Sequence, residues 1–133
     1  MLLTGKRLFY IEDDTKNRVI VQTILEYADA TFACHAWGAG DLLERMTAFA
    51  PIDAVLLDLS LPNGLSGYDV YDTIRSNPQF AHVPIIAVSA LDPTVEIPKA
   101  RAKGFAGFIG KPIHLVHFPE QIASVIGGAR VWV

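Results

Sequence analysis

Apolar and polar positions alternate along the chain in two rhythms. Arg7-Leu8-Phe9-Tyr10-Ile11 is a short β-type run that ends in acids. Residues 15–28 carry Val19, Ile20, Ile24 and Leu25 at helical spacing, with Thr15 placed to cap. Residues 30–36 alternate like a strand, with Phe32 and Cys34 on one face, and 40–49 return to the helical rhythm. Residues 53–58 hold the most apolar run, Ala54-Val55-Leu56-Leu57, closed by Asp58. A helix follows over 66–76 with Ser66 as its cap, then a strand over 83–90 and a weak helix over 93–103. A short strand over 104–109 and a last helix over 114–127 complete the series. Continuous apolar strands alternating with helices predict a parallel sheet covered on both faces. Right-handed crossovers then make it a doubly wound α/β sheet.

Asp58 is the anomaly in this pattern, because a buried unpaired carboxylate is costly. In a doubly wound sheet the carboxyl ends of the strands form the rim where ligands bind. Asp58 ends the third strand, and Glu12, Asp13 and Asp14 follow the first. Ser89 ends the fourth strand, and Lys111 and Pro112 follow the fifth. Carboxylates gathered at one rim repel unless a cation joins them. Carboxylate oxygens suit Mg²⁺, which keeps several waters and needs only one or two protein carboxylates plus a phosphate. Ser89 and Lys111 then remain as donors to phosphate oxygens. The chemistry that fits is metal-assisted phosphoryl transfer to or from a carboxylate.

Length and composition narrow the classes. The 133 residues suit one domain, expected over 1–127 with a short tail over 128–133 and no output domain. A 51% hydrophobic and 19% charged composition belongs to a folded chain. Eleven Lys and Arg against 14 Asp and Glu give a net charge of −3, with no electrostatic footprint for nucleic acid. The lone Cys34 is expected as a small buried hydrophobe in a reducing compartment. No apolar stretch approaches the ~20 residues of a membrane span, so a cytoplasmic location is expected.

The motifs YIEDD, LLDLSLP, AVSA and GKPI, in that order, resemble the receiver domain of two-component response regulators. The resemblance covers residues 7 to about 126, and KPIHLVHFPEQI is further similar to single-domain regulators of the cell-cycle type. It implies a flavodoxin-like (βα)5 sheet of strand order 2-1-3-4-5. Asp58 is then the phosphoacceptor, supplied by a histidine kinase or phosphotransfer protein. Asp13 would ligate Mg²⁺ directly, Glu12 through a water, and Ser60 through its backbone carbonyl. The Ser89 hydroxyl and the Ala90 N–H would bind the phosphoryl oxygens, and Lys111 would pair with Asp58. Phe108 would be the aromatic that follows phosphorylation. The output would be altered docking to a downstream protein, by a monomer or weak homodimer, with no catalysis beyond the chain's own phosphorylation and dephosphorylation.

Several positions depart from that family's pattern. Gly67 lies nine residues after Asp58 where the family places its glycine at eight, which predicts a one-residue insertion. Pro98, with Pro93 before it, predicts a fourth helix that is short, late-starting or broken. Leu91 is apolar where many members are polar and, with Ser60, flanks the route of an attacking water, which predicts slow to moderate dephosphorylation. Asp14 is expected as a helix-start acid, Trp37 as a packing residue, and His114 and His117 as packing or surface residues without a third metal ligand. The tail sequence Ala129-Arg130-Val131-Trp132-Val133 lies outside the βα pattern and could add to a sheet edge or form a dimer patch. Two rivals stand beside the receiver: a pseudo-receiver that only binds, and a small Mg²⁺-dependent phosphatase. The phosphatase would need a second acid two residues after the nucleophile, where this chain has Ser60.

Overall fold

The computed structural model describes residues 1–36 and 40–133; the expectation for Trp37 falls outside the described residues. Six parallel strands form one sheet: β1 (Arg7–Ile11), β2 (Thr31–His35), β3 (Ala54–Leu57), β4 (Ile85–Ser89), β5 (Gly107–Gly110) and β6 (Val131–Trp132). Their order is β2-β1-β3-β4-β5-β6. The helices are α1 (Thr15–Tyr27), α2 (Leu42–Phe49), α3 (Gly67–Arg75), α4 (Pro93–Lys103) and α5 (His117–Ile126). Among the described residues no helix is long and apolar enough to cross a membrane.

The period-two alternation of strand side chains divides the core into two layers. Phe9, Ile11, Val55, Leu57, Ile85, Ala87 and Phe108 pack with Leu42 and Met46 of α2, Val70, Tyr71 and Ile74 of α3, and Ala100 of α4. Leu8, Tyr10, Ala54, Leu56, Ile86, Val88 and Ile109 pack with Val21, Ile24 and Leu25 of α1 and Phe118, Ile122 and Val125 of α5. Each large apolar side chain so buried stabilises the fold by roughly 1.5–3 kcal/mol. Both faces of β1, β3, β4 and β5 are thereby covered, and this leaves the strand ends as the place for polar chemistry.

Of the two alternatives for the tail, the structure shows addition to the sheet edge: β6 pairs with β5, setting Val131 beside Gly107 and Trp132 beside Phe108, so the sheet has six strands where five were expected. Two further expectations are corrected. The fourth helix is unbroken from Pro93 to Lys103, with Pro98 inside it. Pro93 takes the first helical turn, where its missing N–H costs nothing, and the Asp92 carboxylate caps the Thr94 N–H at 3.0 Å. Gly104 closes the helix in the left-handed conformation. Pro98 therefore removes one helical hydrogen bond from an element capped at both ends. Thr15 is not the cap of α1; Asp14 is, accepting from the Asn17 N–H at 3.0 Å, in keeping with its expected place as a helix-start acid. Ser66 does cap α3, in a reciprocal box with Asp69.

Candidate functional site

β1 and β3 run side by side, with Ile11 opposite Leu57, so the residues that follow them emerge together. Glu12, Asp13 and Asp58 each bring a carboxylate oxygen to within 4.8 Å of the others. Among the described residues this is the one such group of potential metal ligands. Glu12 and Asp58 are buried and Asp13 is exposed, so the cluster opens to solvent on one side. Ser60, exposed, donates its backbone N–H to Asp58 Oδ1 at 3.2 Å.

Lys111 arrives from the end of β5. Its backbone N–H donates to the Ser89 carbonyl at 2.8 Å, which ties the fourth and fifth strand ends together. Its ammonium makes a close ion pair with Glu12 and lies 3.5 Å from Asp58 Oδ2. The nearest partner of Lys111 is thus Glu12, with Asp58 second. Ser89 is buried; its hydroxyl accepts the Leu91 N–H at 3.0 Å, leaving its own proton free to donate. Ala90 is exposed just beyond it, and Phe108 is fully buried in the α2–α3–α4 layer.

Sequence reasoning missed Tyr10. It is fully buried, and its hydroxyl donates to Glu12 Oε1 at 3.0 Å. The signal available was its position two residues before Glu12, on the same side of the strand. Burial and then Glu12 push the Tyr10 hydroxyl far above its usual range, so it remains a donor. Burial alone would raise Glu12, but hydrogen bonds from the Asp58 carboxyl, Lys111 and Tyr10 outweigh it and hold Glu12 below its usual value. Burial and then the Glu12 carboxylate push Asp58 up to about 7. The pair thus keeps a proton that the unfolded chain would release.

That proton has a consequence for stability. An unfolded Asp ionises near pH ~4, whereas folded Asp58 holds its proton to about 7, so stability falls as pH rises through that window. Glu12, depressed, gains its stabilisation at the lower edge of the same window and loses it only in stronger acid. The melting temperature of the metal-free protein is expected to fall between pH 5 and pH 8, and Asp58→Asn is expected to flatten that decline. A calorimetric pH series on both proteins checks this; equal slopes would remove Asp58 as its source.

The loop after Asp58 turns sharply before α3. Pro62–Gly64 forms a single tight turn with Asn63 at φ 60° and Gly64 at φ 71°. The chain then returns through a bridge between Ser60 and Ser66 to Gly67, whose N–H donates to the Leu59 carbonyl at 3.0 Å. The rings of His114 and His117 stack at 4.4 Å, with His117 facing Glu120 at 3.7 Å.

A family model described as the response regulator receiver domain matches residues 8–123. The chain is 27% identical over 124 residues to the polar-differentiation response regulator DivK of Brucella anthropi, covering 93% of this chain and 98% of that one. Its fold matches the non-phosphorylated HemR receiver domain of Leptospira biflexa at a TM-score of 0.78, with 26% identity and coverage of 95% and 98%. It also matches the receiver domain of a sensor histidine kinase from Pseudomonas aeruginosa, solved with a magnesium ion coordinated in its active site cleft. There the TM-score is 0.80 and the identity 24%, with coverage of 94% of this chain and 100% of that one.

Proposed function

Because the chain belongs to the response regulator receiver domain family, we propose that it accepts a phosphoryl group on Asp58 from a phosphohistidine and signals by changed protein docking. The observation that carries this reading is the meeting of three carboxylates, Glu12, Asp13 and Asp58, beside the single ammonium of Lys111. Oxygen-only donors of this charge suit Mg²⁺, with Asp13, Asp58 and the Ser60 carbonyl as ligands and Glu12 acting through water. Bound there, Mg²⁺ supplies charge neutralisation for the incoming phosphoryl oxygens. A magnesium ion coordinated in the cleft of the similar Pseudomonas aeruginosa domain is in keeping with this.

The chain's own residues do the rest. Asp58 must lose its proton to attack, and Lys111 favours the ionised form. The Ser60 N–H fixes one Asp58 oxygen, which aims the other. An Asp58 oxygen forms the new bond to phosphorus as the phosphorus–nitrogen bond breaks and its electron pair returns to the donor imidazole. The free proton of Ser89 and the N–H of Ala90 then serve the phosphoryl oxygens. Ser89 sits opposite Gly110 and Ala87 opposite Phe108, so a shift at Ser89 acts on β5 and on the packing of Phe108. The donor is a histidine kinase or phosphotransfer protein and the target a further protein, in the cytoplasm. The likeness to the response regulator DivK along almost its whole length supports a signalling receiver.

Intact mass after incubation with acetyl phosphate tests this. One phosphoryl adduct is expected that requires both Mg²⁺ and Asp58, is absent from Asp58→Asn, and outlasts seconds because Leu91 and Ser60 flank the water's path. No adduct, together with no Mg²⁺-induced rise in melting temperature at pH 8, would make the chain a pseudo-receiver.

A further inference from the structure

β6 covers the outer edge of the sheet, where its parallel pairing with β5 is extended by backbone hydrogen bonds at both ends. Val131 N–H donates to the Ala106 carbonyl at 3.4 Å, Val133 N–H to the Phe108 carbonyl at 2.9 Å, and Gly110 N–H to the Val133 carbonyl at 3.1 Å. The side chains straddle the edge. Trp132 packs on the α2–α3–α4 layer and Val131 on the α1–α5 layer. The Arg101 guanidinium sits over the Trp132 ring, 5.0 Å from its centroid.

β5 is shaped for such an approach. A Cβ on Gly107 would stand 2.7 Å from the Val131 carbonyl oxygen, a contact that backbone cannot yield, while its next neighbour, Ile86, lies at an ordinary 3.6 Å. Glycine at 107 therefore serves the strand laid against it. The occupant, by contrast, is weakly built. It has two strand residues where β1, β2 and β4 have five each, and both are only half-buried. It follows exposed Gly127 and Gly128, the latter at φ 107°. Short pairing, exposed backbone and a glycine hinge place an element at the low-stability end of a fold.

We propose that the β5 edge is a docking site for an extended segment of a partner protein with the apolar–aromatic–apolar pattern of Val131-Trp132-Val133, and that β6 is its displaceable resident. The complement of the site is on view: backbone groups of Ala106, Phe108 and Gly110 pair with the strand, Gly107 admits its backbone, and Arg101 receives its aromatic ring. Held in place, β6 also keeps a sheet edge from pairing indiscriminately. The edge ends at Gly110, one residue before Lys111, so a docked segment would lie next to the site at Asp58. The docking itself does not depend on the chemistry at Asp58.

Fluorescence anisotropy of a labelled peptide, Gly-Ala-Arg-Val-Trp-Val, against full-length proteins tests the proposal. A tethered strand competes at an effective concentration of order millimolar. Trp132→Ala, which loosens the resident, is expected to bind the peptide at least about tenfold more tightly than the unsubstituted protein. Adding Gly107→Ala to Trp132→Ala is expected to abolish binding, because the new Cβ stands where the peptide backbone must lie. Equal affinity for the unsubstituted protein and Trp132→Ala, or binding that survives Gly107→Ala, would overturn it. Amide exchange in the unsubstituted protein gives a second reading that needs no variant. The Val131, Val133 and Gly110 amides should exchange well before those of β3 and β4, whereas exchange in step with those strands would make β6 a fixed part of the core.

Discussion

Replacing Lys111 with methionine is expected to destabilise the protein by about 3 kcal/mol at pH 8, the scale of breaking a buried ion pair by removing one partner. In a chain of 133 residues that lowers the melting temperature by roughly 10 °C. The Lys111 side chain is 12% exposed, against 1% for Glu12 and 8% for Asp58. Its removal leaves two carboxyl groups with Tyr10 and the Ser60 N–H as their remaining donors. The size of the loss depends on pH, and the sign is fixed. Asp58 already holds its proton to about 7 because burial and Glu12 resist a second negative charge. Without the ammonium the folded state holds that proton more firmly still, while the unfolded chain releases it near pH ~4. The deficit therefore grows as pH rises through 7 and shrinks towards pH 5.5. Asp58→Asn should shrink it at every pH, since Glu12 alone then needs a partner and Tyr10 supplies one. Thermal melts of the four proteins of this double-mutant cycle at two pH values measure the coupling directly. A loss independent of both pH and Asp58 would reduce Lys111 to packing.

The same electrostatics explain why so much of the site was legible in the sequence. Strand ends in a doubly wound sheet meet at one rim, so acids after β1 and β3 and a lysine after β5 had to converge. The continuous apolar runs likewise marked the core strands as buried on both faces, and the structure divides their side chains between two layers. What was not legible involved choices that local pattern does not encode. Tyr10 looks like one more strand residue until Glu12, two positions on, is seen to need a buried donor. Pro98 looks like a helix breaker, yet caps at Asp92 and Gly104 and the packing of Ala100 hold α4 through it. The order of partners around Lys111 needs coordinates, because Glu12 and Asp58 are equivalent acids in the sequence. β6 is the largest omission from the pattern: two residues are too few for any periodicity. Its complement was hidden in β5, where the glycines of Gly107-Phe108-Ile109-Gly110 suggest a weak strand rather than one relieved of side chains for a neighbour.

Gly67→Ala is expected to cost about twice as much as Gly64→Ala, although the two glycines lie only three residues apart. A Cβ on Gly67 would collide with the Asp58 carbonyl oxygen and stand 2.7 Å from Leu59 Cα. Both are backbone atoms at the end of β3, so neither can turn aside as a side chain would. One has to move away, and with it either the first turn of α3 or the strand end that carries Asp58. Overpacking of this kind costs typically 1–3 kcal/mol, and rigid neighbours on two sides put this case at or above about 3 kcal/mol. Gly64 offers the contrast. Nothing lies within 4 Å of its Cβ position, and its φ of 71° costs alanine about 1–2 kcal/mol in backbone conformation alone. The positive φ values of this loop thus fall at Asn63 and Gly64, and the close backbone contact falls at Gly67. Function should separate the two variants as well. Gly67→Ala displaces the backbone that aims Asp58 and should slow phosphorylation by acetyl phosphate at least about tenfold, since a misplacement of 1 Å can cost a hundredfold. Gly64→Ala should leave that rate within about twofold, because its added Cβ meets nothing within 4 Å and so displaces no neighbour. Denaturant melts paired with adduct formation rates measure both, and a Gly67→Ala protein as stable and as fast as Gly64→Ala would show that α3 can move off the strand end without disturbing Asp58.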